Sequence, residues 1–181
     1  PQALEFMERE IVRLSESYLG KSTFPQTFEG TDVNAYLLVT FDGENEDQLT
    51  EIIEQASEVV LEAGALDVLV ADTPQLKKDA WAARSTFLEA IEANTKLLDE
   101  CDVVVPVNQI AHYVTYIKEI SEGYDFEVKS FGHAGDGNLH IYTCSNDMEL
   151  AAFEQQVADF MEKAYAKATE LGGLISGEHG I

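Results

Sequence analysis

The sequence predicts an α+β fold, a ferredoxin-like arrangement with a mainly antiparallel sheet and helices packed on one face. Three observations carry that prediction. Strand-like apolar runs alternate with amphipathic helical patterns along most of the chain. The single short strand-to-strand connection falls near residues 132–138, so strand–helix–strand units meet through a hairpin. A hydrophobic fraction of 45% over 181 residues is enough for one domain with a sizeable core.

Residues 2–18 place Leu4, Met7, Ile11, Leu14 and Tyr18 at helical spacing, and Gly20 follows as a C-cap. Residues 20–34, rich in Gly, Thr and Pro, read as an exposed loop. Residues 35–41 read as a buried strand closed by Asp42-Gly43. An amphipathic helix over 46–63 carries Leu49, Ile52, Ile53, Ala56, Val59, Val60 and Ala63, and Gly64 stops it. Residues 67–71 are expected to form a second strand. Thr73 then caps a third helix with Pro74 at its first position, running to about residue 93 with a bend into 94–99.

Residues 102–105 form a third expected strand, stopped by Pro106. A helix over 108–121 turns Ile110, Val114, Ile117 and Ile120 inward. Residues 125–131 alternate as a fourth strand and 139–144 as a fifth. A long helix over 147–171 spaces Leu150, Phe153, Val157, Phe160 and Ala164 three to four apart. Gly172-Gly173 ends it, and Leu174-Ile175-Ser176 is a short extended piece.

Charge narrows the function. Thirty-four acids against eleven Lys and Arg give −23. Such a surface repels nucleic-acid backbones and anionic lipid, so neither is an expected partner. An anionic substrate would also be repelled at long range, so its site needs local positive charge from a metal or an arginine. No stretch of about 18 apolar residues is present, so no membrane span is expected. Cys101 and Cys144 form no Cys-x-x-Cys pair and read as buried, reduced thiols, which fits a cytoplasmic setting. The chain opens on Pro1 and stops at Ile181 directly after a glycine-rich motif, and reads as an excised piece of a longer protein.

The chemistry concentrates in Gly132-His133-Ala134-Gly135-Asp136-Gly137-Asn138-Leu139-His140, with Ser176-Gly177-Glu178-His179-Gly180 as its second half. With Asp136-Gly137 as a two-residue turn, His133 and His140 become direct cross-strand partners, with Cβ atoms about 4.5–5.5 Å apart. Two imidazoles so placed converge on one divalent metal. Glu178 is the candidate third ligand, and two His with one carboxylate suit Zn²⁺, Mn²⁺ or Fe²⁺ with positions left for substrate. His179 is then a candidate general base, its ordinary pKa lying near neutrality. Taken singly these residues have plainer readings: surface histidines, a turn aspartate, one acid among many. Asn138 is either a turn residue or a polar site contact.

These two motifs resemble the C-terminal domain of the FAD-linked oxidases, a family that includes the glycolate oxidase flavin subunit, D-lactate dehydrogenases and D-2-hydroxyglutarate dehydrogenase. Ala3-Leu4-Glu5-Phe6-Met7, Trp81-Ala82-Ala83-Arg84 and Asp102-Val103-Val104-Val105-Pro106 extend the resemblance over nearly the whole chain, in order. It implies that residues 1–181 are the substrate and metal domain of an FAD-dependent D-2-hydroxy-acid dehydrogenase or oxidase, with the N-terminal FAD-binding domain absent. It further implies metal ligands at His133, His140 and Glu178, proton removal by His179 and a carboxylate grip by Arg84. The isolated chain is expected to be inactive.

Substrate contacts from Asn138 and Tyr142 complete the expected site, with packing in the sheet as the plainer reading of Tyr142 and Trp81 in the core. The expected partners are a small 2-hydroxy acid, the FAD domain and an electron acceptor, which allows a peripheral association with the membrane. Some relatives carry a lysine just before the Asp-Val-x-Val-Pro strand and a basic residue after its proline. Here Leu98-Asp99-Glu100-Cys101 and Val107-Asn108 stand there, which favours a small monocarboxylate of D-lactate or glycolate type. The alternative is a stand-alone ferredoxin-like module binding a metal or small molecule. A metal-dependent hydrolase is disfavoured because no nucleophile or phosphate loop accompanies the ligands.

Overall fold

The computed structural model describes residues 1–177. Its frame is a five-stranded sheet in the order β4-β1-β6-β7-β5 with every neighbouring pair antiparallel. The strands are β1 (Ala3–Glu8), β4 (Ala35–Thr40), β5 (Leu97–Val104), β6 (Glu127–His133) and β7 (Asn138–Ser145); β2 (Thr27–Phe28) and β3 (Thr31–Asp32) make a separate hairpin. The helices are α1 (Arg9–Leu19), α2 (Glu46–Glu62), α3 (Pro74–Ser85), α4 (Phe87–Asn94), α5 (Ile110–Ser121) and α6 (Leu150–Glu170). No helix among the described residues is long and apolar enough to cross a membrane.

The expected α+β class with an antiparallel sheet holds, but helices cover both faces rather than one. All eight residues of β7 are buried, which a sheet with one wet face would not allow. Cys101, Val103, Leu139 and Ile141 point to one side, where α5 and α6 supply Tyr113, Ile117, Phe153, Val157 and Phe160. Met7, Phe131, Tyr142 and Cys144 point to the other, where α1 and α4 supply Ile11, Val12, Phe87 and Ile91. Burying such apolar side chains contributes roughly 1.5–3 kcal/mol each before chain entropy is subtracted.

Several elements differ from expectation. Residues 3–8 are the strand β1, not the first turns of a helix. Leu4 and Met7, three apart, share a face only in a helix; in the strand Glu5 and Met7 are the buried pair, and ladders to β4 and β6 on both sides decide it. The helix proper starts at Arg9 and ends at Gly20, whose φ of 66° makes it the left-handed cap expected. The expected loop holds the β2–β3 hairpin. β4 is a half-exposed edge strand rather than a buried one, with Leu37 56% exposed.

α2 forms as expected, with Asn45 accepting a hydrogen bond from the Gln48 N–H, yet none of its residues is buried. Residues 67–71 form no strand: no edge pairs with them, and β-branched residues alone do not make one. Thr73 and Pro74 start α3 as predicted, but Thr86 breaks that helix from α4, its hydroxyl held by the Ala82 carbonyl at 2.9 Å and Ser15 Oγ at 2.8 Å. Trp81 is 39% exposed, not core. Cys101 and Cys144 are buried and unbridged as expected, and burial pushes the Cys101 thiol up to about 12.

A candidate metal and substrate site on one sheet face

The site begins with a register. Residues 134–137 form a four-residue loop instead of the predicted two-residue turn, so His133 lies opposite Asn138 and His140 opposite Phe131. The neighbouring strands set this register. The Gly135 N–H donates to the Leu4 carbonyl and the Val105 N–H to the Gly137 carbonyl. Gly137, at φ 78°, is pressed so close to Val105 that a Cβ there would lie 2.0 Å from its carbonyl oxygen. The slip from the predicted register is two residues, so both histidines keep the same face. They are diagonal rather than direct partners, with ring centroids 5.7 Å apart and planes at 85°.

Each imidazole is oriented by a carboxylate from an adjacent strand. His133 Nδ1 is 2.9 Å from Glu5 Oε1, and His140 Nδ1 is 3.1 Å from Glu100 Oε1. In a neutral ring beside a carboxylate the proton sits on Nδ1 as donor, which puts the lone pair on Nε2. Carboxylate, imidazole and metal in that order is the usual outer-shell arrangement of a histidine ligand. Two more acids shape the face. Asp102, fully buried, accepts from Asn138 Nδ2 at 2.6 Å and from the Gly177 N–H at 3.1 Å, and stands 3.7 Å from His140 Nδ1. Glu5 also binds Arg84, from Nε at 2.9 Å and Nη2 at 2.7 Å.

Arg84, at the end of α3, is therefore ion-paired, and the pair is buried. Its guanidinium lies 4.9 Å from the centre of the Phe131 ring. Beside it a cleft of about 220 Å³ is lined by Arg84, Phe87, Phe131, His133, His140 and Tyr142. Phe131 and Tyr142 stack at 5.5 Å, giving the cleft an aromatic wall. Burial, reinforced by the charge of Glu100, pushes the Tyr142 hydroxyl up, so it stays a donor near neutral pH. Asn138 is brought to the site but turned toward the sheet: its amide donates to Asp102 and Val103. Its Oδ1 has no partner among the described residues. A second hollow of about 240 Å³ lies at the far end of β7 beside Cys144 and holds none of the predicted site residues.

The expected ligand Glu178 and base His179 lie outside the described residues. Among the described residues no three His, Cys, Asp or Glu are grouped to hold a metal. Gly177 is fixed by Asp102, and a Cβ on it would lie 2.0 Å from Asn138 Nδ2, so only glycine passes here without displacement. The donor set suits a divalent cation: two carboxylate-oriented imidazoles on a face where Glu5, Glu100 and Asp102 outnumber Arg84. FAD does not fit here, since about 220 Å³ is below the roughly 300–1,000 Å³ typical for a drug-sized ligand, and a dinucleotide is larger still. Glu5, Glu100 and Asp102 escaped the sequence reading. Their signal was an acid inside an otherwise apolar strand, visible at Glu5 between Leu4 and Phe6 and at Asp102 before three valines.

Comparison with known proteins extends beyond the motifs. The sequence profile of the family described as FAD linked oxidases, C-terminal domain, matches residues 1–181. A protein named D-lactate dehydrogenase from Anaerostipes hadrus is 71% identical over all 181 residues, which cover 38% of that protein. A D-lactate dehydrogenase from Archaeoglobus fulgidus is 32% identical over the whole chain, covering 37% of that protein. The glycolate oxidase subunit GlcD of Bacillus subtilis is 33% identical, with the same 37% covered. The chain thus spans a little under two-fifths of the length of these curated relatives.

Proposed function

The chain belongs to the FAD linked oxidase C-terminal domain family, and on that premise we propose that it is the substrate- and metal-binding part of an FAD-dependent D-2-hydroxy-acid dehydrogenase of D-lactate or glycolate type. The observation that carries the reading is the pair of carboxylate-oriented imidazoles on the wall of a cleft that also presents an arginine. His133 and His140, with Glu178, would hold the metal through Nε2 of each ring and a carboxylate oxygen. A divalent metal bound there supplies positive charge for the acid's carboxylate and lowers the pKa of its hydroxyl. FAD, the oxidant in this reading, is held by the rest of the protein.

The remaining work falls to side chains of this chain. Arg84 pairs the substrate carboxylate through donors of its fork beyond the two that Glu5 takes. Phe87, Phe131 and Tyr142 line the cleft and limit it to a small acid, which packs against the Tyr142 ring. Asn138 serves the substrate as well as Asp102 where its Oδ1 meets a donor. His179 takes the hydroxyl proton. A negatively charged face explains why a cation would be required before an anionic substrate could settle here.

The test uses the full-length protein. Under anaerobic conditions its bound flavin should be bleached by D-lactate or glycolate and not by L-lactate. Retention of flavin colour with every small D-2-hydroxy acid would sink the proposal.

A further inference from the structure

We propose that Glu5 is a single positioning residue shared by the two arms of the site, the metal-binding imidazole of His133 and the anion-binding guanidinium of Arg84, so that both depend on one carboxylate. The proposal rests on the functional reading above and adds to it a residue that neither motif contains.

The geometry is specific. Glu5 lies directly opposite His133 in the β1–β6 ladder, so its backbone is fixed relative to the ring it orients. Its side chain is only 7% exposed, so solvent offers it little as an alternative partner. The two carboxylate oxygens divide the work: Oε1 takes His133 Nδ1 at 2.9 Å, and Oε2 takes Arg84 Nε and Nη2 at 2.9 and 2.7 Å. Held from that side, the guanidinium carbon sits 4.9 Å from the centre of the Phe131 ring, on the wall of the same cleft. An ionised carboxylate has acceptor sites on both oxygens, so it satisfies both arms at once. An amide has one acceptor oxygen and one donor nitrogen. A glutamine at this position has one acceptor oxygen for two arms and no negative charge for either, so both lose their charge-assisted bond and one also faces an N–H. Glu100 is the natural contrast, because it orients His140 without touching Arg84.

The experiment compares the wild-type full-length protein, prepared free of metal, with Glu5→Gln, Glu100→Gln and a His133→Ala, His140→Ala double variant. Zn²⁺ affinity is read by competition with a chromophoric chelator, and oxalate affinity of the metal-free protein by calorimetry. Glu5→Gln should weaken Zn²⁺ by about 10–100-fold, the usual effect of losing an outer-shell partner. It should also weaken oxalate by about tenfold, as expected when a charge-assisted fork is misplaced. Glu100→Gln should weaken Zn²⁺ while leaving oxalate within about twofold. If Glu5→Gln affects neither ligand, or only one, or if Glu100→Gln affects oxalate equally, the shared role is overturned. The double variant separates this from the parent reading: should it keep Zn²⁺, the metal assignment itself fails, whatever Glu5→Gln does. Where Glu5→Gln does not fold, the wild type still decides. Selective ¹⁵N labelling of histidine in the metal-free protein should report a proton on His133 Nδ1, and a ring protonated on Nε2 alone would refute the proposal.

Discussion

β7 sends Leu139 and Ile141 to one side of the sheet and His140 and Tyr142 to the other, and the two sides are built on different principles. On the α5–α6 side the strand residues meet Phe126, Phe153, Val157 and Phe160, and the buried polar atom contributed by Tyr113 is satisfied by the Ala164 carbonyl at 3.0 Å. On the α1–α4 side apolar packing by Met7, Ile11 and Phe87 stops where Glu5, Asp102, His133, His140 and Arg84 begin. Buried charges are tolerated there only because each is paired or hydrogen-bonded. One face supplies cohesion, and the other uses it to hold groups that would be unfavourable alone.

The comparison can be broken from either side. The largest expected effect is on the apolar face. Leu139→Ala should lower stability by about 3 kcal/mol, as cavities in packed cores do. It should leave Zn²⁺ affinity of the folded protein within about threefold. Urea denaturation beside chelator competition checks this, and a parallel fall in both would mean that the faces are not independent. Next comes Gly177→Ala, whose Cβ would collide with Asn138 and Asp102. Displacing the chain just before Glu178 should weaken Zn²⁺ by about tenfold and shift stability little, by analogy with other disturbed outer shells. Unchanged Zn²⁺ binding would remove Glu178 from the ligand set.

Tyr113→Phe leaves the Ala164 carbonyl without its side-chain donor, and a stability loss of about 1 kcal/mol with no change in metal binding is expected. The smallest effect tests an acid on the wrong side. Glu8 accepts from the Ser130 N–H, and burial pushes its carboxyl above the ordinary value. A folded pKa above the unfolded one means that ionisation disfavours the fold. The loss begins as pH rises through the unfolded pKa and is complete above the folded one. Glu8→Gln should therefore raise the melting temperature by about 2 °C at neutral pH and change nothing in acid below both values. A thermal melt series across pH reads this directly, and destabilisation at neutral pH would contradict it.

Much of this was visible in the residues. α2, α5 and α6 follow from apolar spacing, and Thr73 with Pro74 or Gly20 mark helix ends by local chemistry alone. That His133 and His140 share a face was likewise legible, since strand alternation decides the face, whereas Arg84 entered through the family resemblance alone. What went unseen depended on partners distant in sequence. Ala3–Glu8 is a strand because β4 and β6 flank it, not because of its own spacing. The hairpin register was set by Leu4 and Val105 across the neighbouring strands. Glu5 meets His133 and Arg84 from positions 128 and 79 residues away, a relation no local pattern records.

The sequence by itself determined the class of fold, the helix boundaries that rest on capping, and which histidines share a face. These are properties of near neighbours along the chain, set by dihedral preference and side-chain period. Only the tertiary structure decided the register, the second covered face and the carboxylates behind each ring. Those arise where the ladder hydrogen bonds of separate strands must be satisfied together, and that condition exists only once the sheet has formed.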